Sequence, residues 1–250
     1  MEPDPAPEEA LVEVPAEGRT FRHGRRVRLG DVTPAGRLRL DAVVRYLQDV
    51  ANDDAYDSGI DNPAAWVVRR TVVEVRHPAE LREDLELVTF CSGLGPSWAE
   101  RRTSIRGAAG ARIEAAALWV QLDPSTGRPQ RLDANFAAVY GPSALGRAVR
   151  ARLRLDDRVP GDAASHPFAV RAADLDVLGH VNNAVYWAMV AECLDGADGE
   201  PGRIELEHLH PVGAGADLVL RHLGDRLWVC DGERVAATAR RVLFAEPGSR

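Results

Sequence analysis

Apolar residues along the chain fall into two kinds of run. Leu40, Val43, Val44, Leu47, Val50 and Ala51 recur at i, i+3, i+4 and i+7, the period of a helix that buries one face. From Thr71 the pattern changes to runs rich in Val, Leu, Thr, Phe and Trp, at residues 85–91, 98–106 and 113–122. Turn-forming strings such as GLGPS, RGAAG and DPSTG separate them. The same signals then return. Val185, Trp187, Met189, Val190 and Cys193 make a less regular helical stripe, followed by strand-like runs at 218–223, 226–230 and 235–244. Each set predicts a strand, a turn, one helix and about four antiparallel strands. One helix against one curved sheet is an α+β solution.

The return is a repeat at the residue level. Arg28, Asp31 and Gly36 match Arg171, Asp174 and Gly179 at a constant offset of 143. Further on, TVVEVRHPAELREDLELVTF from Thr71 pairs with ELEHLHPVGAGADLVLRH from Glu205. There His77-Pro78 meets His210-Pro211, and Asp84-Leu85 meets Asp217-Leu218, at an offset of 133. The second copy therefore has a helix-to-strand connection 10 residues shorter, as diverged loops allow. This predicts two tandem domains, 19–140 and 164–245. A linker rich in Pro, Gly and charge joins them at 141–163. An acidic, proline-rich tail over 1–18 is expected to be disordered, with a short tail at 246–250.

Composition narrows the chemistry. All 31 basic residues among the 250 are arginine, so no side chain can form a Schiff base and no Walker P-loop is possible. A net charge of −7 argues against a general nucleic-acid binder. Cys91, Cys193 and Cys230 are odd in number and have no CxxC pairing, which suits a reducing compartment and offers no zinc site. His208-Leu-His210 is a weak metal spacing on its own. Neither a membrane-spanning run nor a basic-then-apolar leader is present, so a cytoplasmic protein is expected. A GxSxG elbow is also missing. Trp66, Trp98, Trp119 and Trp187 are expected in the sheet–helix cores.

The densest chemistry lies between a strand at 167–171 and a helix beginning near Asn182 or Asn183. The string is Asp174-Leu-Asp176-Val-Leu-Gly179-His180-Val-Asn182-Asn183-Ala-Val-Tyr186-Trp. Backbone N–H groups of Val181, Asn182 and Asn183, with the positive end of the helix dipole, could stabilise a developing oxyanion. Asn182 or Asn183 is a suitable N-cap. Asp176 could act as general base or nucleophile, or serve only as the acceptor of an Asx-turn. His180 could polarise a carbonyl or orient water. Tyr186, one turn into the helix, is placed to pack.

This string resembles the active-site turn and helix start D-x-D-x-x-G-H-V-N-N-x-x-Y of the hotdog-fold acyl thioesterases. With the tandem repeat, the chain over about residues 20–245 is similar to the double-hotdog acyl-ACP thioesterases of plants and bacteria. GDVTPAGRLRLDAVVRYLQDVA from Gly30 and WVVRRTVVEV from Trp66 support the likeness. The resemblance implies two tandem hotdog domains, each a long helix wrapped by a curved antiparallel sheet. It also implies hydrolysis of fatty acyl-ACP to free fatty acid and holo-ACP, without metal or cofactor. Asp176 and His180 match catalytic positions of the plant enzymes. Two departures stand out: Leu178 replaces a family Asn, and the family Glu of the following strand falls near Pro211. His210 and the helix residue Glu192 are then candidate substitutes. In copy one, Thr33, Ala35 and Arg37 stand where copy two has Asp176, Leu178 and His180. That copy is expected to supply the acyl pocket, and substitution of Asp31 to spare catalysis.

An acyl-CoA thioesterase and a non-catalytic acyl- or carrier-binding module are the alternatives. Because acyl carrier proteins are acidic, arginine clusters are the expected docking surface. The candidates are Arg22, Arg25 and Arg26; Arg69 and Arg70; and Arg147, Arg150, Arg152 and Arg154. A tandem pair could work as a monomer or as a homodimer.

Overall fold

The computed structural model describes residues 11–60, 65–194 and 200–244. In chain order the elements of the first repeat are β1 (Thr20–Arg26), α1 (Leu40–Asp57), β2 (Ala65–His77), β3 (Asp84–Leu94), β4 (Trp98–Gly107) and β5 (Arg112–Leu122). After a short helix α2 (Ala134–Tyr140) come β6 (Ala164–Ala169), α3 (Asn183–Cys193), β7 (Gly202–His208), β8 (Asp217–Leu223), β9 (Arg226–Asp231) and β10 (Arg234–Leu243). These strands join one antiparallel sheet in the order β1-β3-β4-β5-β2-β7-β10-β9-β8-β6. Read outward from the middle, the two halves repeat the same order. They meet where β2 pairs with β7, from Arg70 opposite Glu207 to Val75 opposite Gly202. Pro167 interrupts no ladder, because β6 is an edge strand.

Alternation along the strands places Val73, Leu87, Ile105, Ile113, Ile204 and Leu220 on one face, in a single core with α1 and α3. Helix α1 buries Leu40, Val43, Val44, Leu47 and Val50, the stripe expected from its spacing. Helix α3 packs against α1 as well as the sheet. It buries Tyr186, Trp187, Met189 and Val190 on several sides, which is why its sequence period is blurred.

The repeat is visible bond by bond in the turns before the two helices. Arg28 O accepts from Asp31 N as Arg171 O does from Asp174 N. Thr33 N donates to Arg37 O as Asp176 N does to His180 O. Arg39 N reaches Asp31 O, and Asn182 N reaches Asp174 O. Leu38 N donates to Ala79 O as Val181 N does to Val212 O. The first three pairs keep the 143 offset, and Ala79/Val212 carries the 133 offset into space.

The opposite face of the sheet changes three expectations. Residues 141–163 are no free tether but a strap laid across that face. Glu207, 0% exposed, accepts the backbone N–H groups of Arg154 and Leu155 at 2.8–2.9 Å. Trp98 Nε1 donates to Val149 O at 2.9 Å, and Trp228 Nε1 to Asp156 O at 3.0 Å. The tail expectation fails from Leu11 onward: Val12 O accepts from Arg102 Nε at 3.1 Å. Gly18, at φ +84°, passes so close to Ser143 that a Cβ would lie 2.3 Å from its nitrogen. Residues 1–10 and 246–250 lie outside the described residues. The tryptophans also divide. Trp187 is in the main core, Trp98 anchors the strap, and Trp66 stacks on Phe136 in a separate small cluster. No helix among the described residues is long and apolar enough to cross a membrane.

Candidate active site

The turn carrying Asp176 and His180 projects from the end of the second half. Asp176 Oδ1 accepts the backbone N–H of Leu178 at 2.8 Å and of His180 at 3.1 Å, an Asx-turn. In copy one the Thr33 hydroxyl accepts from Arg37 N at 3.3 Å in the same place. Holding this turn therefore requires only an oxygen. The carboxylate adds a charge and a second oxygen, neither of which the turn uses. Asp176 is half-buried and His180 exposed. Leu178, where the resemblance expects Asn, is 63% exposed at the tip. The neighbouring Asp174 is structural: it is 2% exposed and bidentate with Arg171, whose cation holds its carboxyl below the usual range. Its counterpart Asp31 accepts from Tyr46 Oη at 2.7 Å and Arg45 Nη2 at 2.9 Å, bonds that tie its turn to α1.

At the helix start, Asn182 is the N-cap, its Oδ1 accepting from Ala184 N at 2.9 Å. Two of the three expected oxyanion donors are already used. Val181 N donates to Val212 O and Asn182 N to Asp174 O, each at 2.8 Å. Only Asn183 N has no acceptor among the described residues. A residue the sequence reading missed stands opposite: Gln48 of α1, whose Nε2 lies 3.4 Å from Asn182 Oδ1. It is a half-buried polar group next to the apolar stripe of α1, and its counterpart in α3 is Ala191. It reaches Asn182 only because α1 and α3 pack together.

Asn183 and Gln48 both line a narrow crevice between α1 and strands β2, β4 and β5, with a free volume of about 20 Å³. Val44, Leu47, Ala51, Val68, Ala115 and Ala117 supply apolar walls. Trp187, at the α3 position equivalent to Val44, is 0% exposed and packs into the main core.

The remaining candidates are dispersed. The segment of His210 lies alongside the turn, since His180 bridges Gly213, and His210 itself is exposed. Glu192 is exposed in the last turn of α3, on the side of Arg171 rather than of the crevice. Most arginines of the expected docking clusters make contacts within the molecule, Arg22 and Arg26 while staying more than half exposed. Arg22 pairs with Glu86, Arg25 with Asp49 and Arg26 with Asp84. Arg70 is buried beside Glu205, and Arg147 bonds Glu100 on the strap face. Arg69 donates to Leu209 O, while Arg150 is exposed.

Beneath the helix start, Tyr186 meets His208 edge to face with ring centroids 4.8 Å apart. Burial, and then the nearby Arg69 cation, push His208 down to about 3, while burial raises Tyr186. His208 is therefore neutral in the native state, and its Nε2 has no partner among the described residues. The unfolded chain takes up this proton near 6.5 and the native state only near 3, so stability falls as pH drops through that window. His208→Phe keeps the ring contact and should flatten this acid limb, as read by urea unfolding at pH 7 and pH 4.5. An unchanged slope would assign the acid loss to other groups. Burial likewise pushes Cys91 and Cys193 up to about 11, which does not favour a reactive thiolate.

Comparison with known proteins bears on this geometry. The acyl-ACP thioesterase N-terminal domain model matches residues 18–140, and the corresponding C-terminal domain model matches 159–230. The chain belongs to the acyl-ACP thioesterase family. Uncharacterised proteins of two Mycobacterium tuberculosis strains are 32% identical over 243 residues, covering 93% of this chain and 96% of theirs. Among solved structures, the 12:0-ACP thioesterase from Umbellularia californica superposes with a TM-score of 0.75 at 23% identity. It covers 90% of this chain and 97% of its own. An acyl-ACP thioesterase from Bacteroides thetaiotaomicron gives 0.70 at 16% identity, covering 89% and 97%. At such identities these likenesses speak for the fold. Within this family frame, the half holding Asp176 and His180 falls in the C-terminal match, and the crevice walls fall in the N-terminal one.

Proposed function

We propose that the protein hydrolyses acyl thioesters borne on acyl carrier protein, using two tandem hotdog domains of which the second carries the reacting groups. The observation that carries this reading is Asn183: it opens α3 just after the acidic turn and also lines the apolar crevice. A thioester whose acyl chain parts α1 from the sheet along this crevice would place its carbonyl at that helix start. Asn183 N–H and the Gln48 amide are the donors for the oxyanion, one from each half. Asp176 takes a proton from water as the water attacks the carbonyl carbon. His180 orients that water or the carbonyl. The tetrahedral intermediate expels the carrier thiolate, which recovers a proton to give holo-carrier and free acid. Since α1 supplies what a second copy would otherwise bring, one chain suffices for the site.

The test is thiol release from matched acyl-ACP and acyl-CoA panels. Faster turnover of acyl-ACP is expected, and Gln48→Ala should lower kcat by about 10²-fold, the usual effect of losing one oxyanion donor. Equal rates on both carriers would move the reading to an acyl-CoA thioesterase. Retained acyl binding with no turnover would leave a binding module.

A further inference from the structure

A larger space than the crevice lies on the other face of the sheet, a cavity of about 180 Å³ between the strap and strands β9 and β10. Arg154 and Asp156 of the strap line it on one side, and Arg226, Trp228, Thr238 and Arg240 on the other. The direction of the strand side chains follows from register. Trp228 Nε1 donates to Asp156 O, so Trp228 faces the strap. Thr238 is its partner across the ladder, and Arg226 stands opposite Arg240 two residues away. With a period of two, all four side chains share that face, while Leu227 and Ala239 between them belong to the main core.

Two arginines directly opposite each other bring like charges together with Cβ atoms about 5 Å apart, an arrangement that costs stability. The carboxylates around them are engaged elsewhere. Glu205, across from Arg240 on β7, lies 3.6 Å from Arg70, and Glu207 accepts the strap amides. Asp156 is bonded by Arg158 at 2.9 Å. Among the described residues neither Arg226 nor Arg240 forms an ion pair.

We infer that this cavity is an anion site that takes a phosphate group, free or as a phosphate monoester, between Arg226 and Arg240. A guanidinium presents paired N–H donors that match phosphate oxygens, and a doubly charged group balances both cations at once. A monocarboxylate balances only one of them. The space would hold several water molecules, so it admits a phosphate with part of an esterified alcohol. The crevice lies on the helix-covered face of the sheet, so occupancy here leaves the thioester site open. The inference is independent of the hydrolase reading.

The experiment is calorimetric titration of the full chain with sodium phosphate, glycerol 3-phosphate and acetate, at one ionic strength set with chloride. Saturable one-to-one binding of phosphate is expected, with acetate clearly weaker. Arg226→Gln and Arg240→Gln should each weaken phosphate by roughly 10-fold or more, the effect of losing a charge-assisted hydrogen bond. Arg22→Gln, on the far edge strand β1, should not. Thermal melting gives a second readout: phosphate should raise the wild-type Tm above the chloride control, and Arg226→Gln should abolish the rise. Arg226 is exposed, so that variant decides the matter if Arg240→Gln fails to fold. Tighter binding of glycerol 3-phosphate than of phosphate supports an esterified ligand, and the reverse supports the free ion. Absence of saturable phosphate binding, equal affinity for acetate, or undiminished binding in Arg226→Gln overturns the inference.

Discussion

Asp176→Thr should leave the protein folded and reduce kcat by about 10²–10⁴-fold, the range for loss of a positioned general base. The reason comes from the molecule's own first half. Thr33 accepts from Arg37 N there, just as Asp176 accepts from His180 N, so a hydroxyl can hold the turn. Replacing one by the other removes the charge and the second oxygen while retaining an acceptor. The usual ambiguity of an aspartate substitution, between lost chemistry and a lost turn, is thereby reduced. A melting temperature near wild type with the rate collapsed is the expected pair of results. Full activity in the folded variant would reduce Asp176 to a turn residue and shift attention to His180 and His210.

The reciprocal comparison predicts the largest change in stability. Trp187→Val gives α3 the residue that α1 has at Val44, and should cost about 3 kcal/mol, as for other large-to-small changes in a tight core. Trp187 is fully buried and in the main core. One feature reduces the cost: its Nε1 has no partner among the described residues, so the substitution also removes an unmet donor. Chemical denaturation of the two proteins measures the difference. A loss below about 1 kcal/mol would mean that the surrounding side chains collapse into the space. The opposite graft, Val44→Trp, would fill the crevice and should suppress turnover of long-chain substrates more than of acetyl thioesters.

Local signals carried much of this into the sequence. The 143 and 133 offsets reappear as matching hydrogen bonds because a tight turn is specified by a few residues close in the chain. The stripe of α1 was legible because one face packs and the other meets solvent. That of α3 was blurred because it packs on both α1 and the sheet. Asp176, His180 and the Asn182 cap were visible in one contiguous motif. The availability of donors was not. Val181 and Asn182 look equivalent to Asn183 in sequence, yet their N–H groups are taken by carbonyls, one of them on a distant strand. The ion pairs of the arginine clusters were equally hidden: most of their carboxylate partners are tens of residues away in the chain.

The sequence by itself determined two α+β copies, the acidic turn at a helix start, and a chemistry without lysine. These depend on local spacing and on side-chain type. Tertiary structure decided which amide stays open, that Gln48 faces Asn182, that residues 141–163 strap the sheet, and that the crevice is walled by the first half. Each of those depends on contacts between residues remote in sequence, and burial is a property of neighbours rather than of the residue itself.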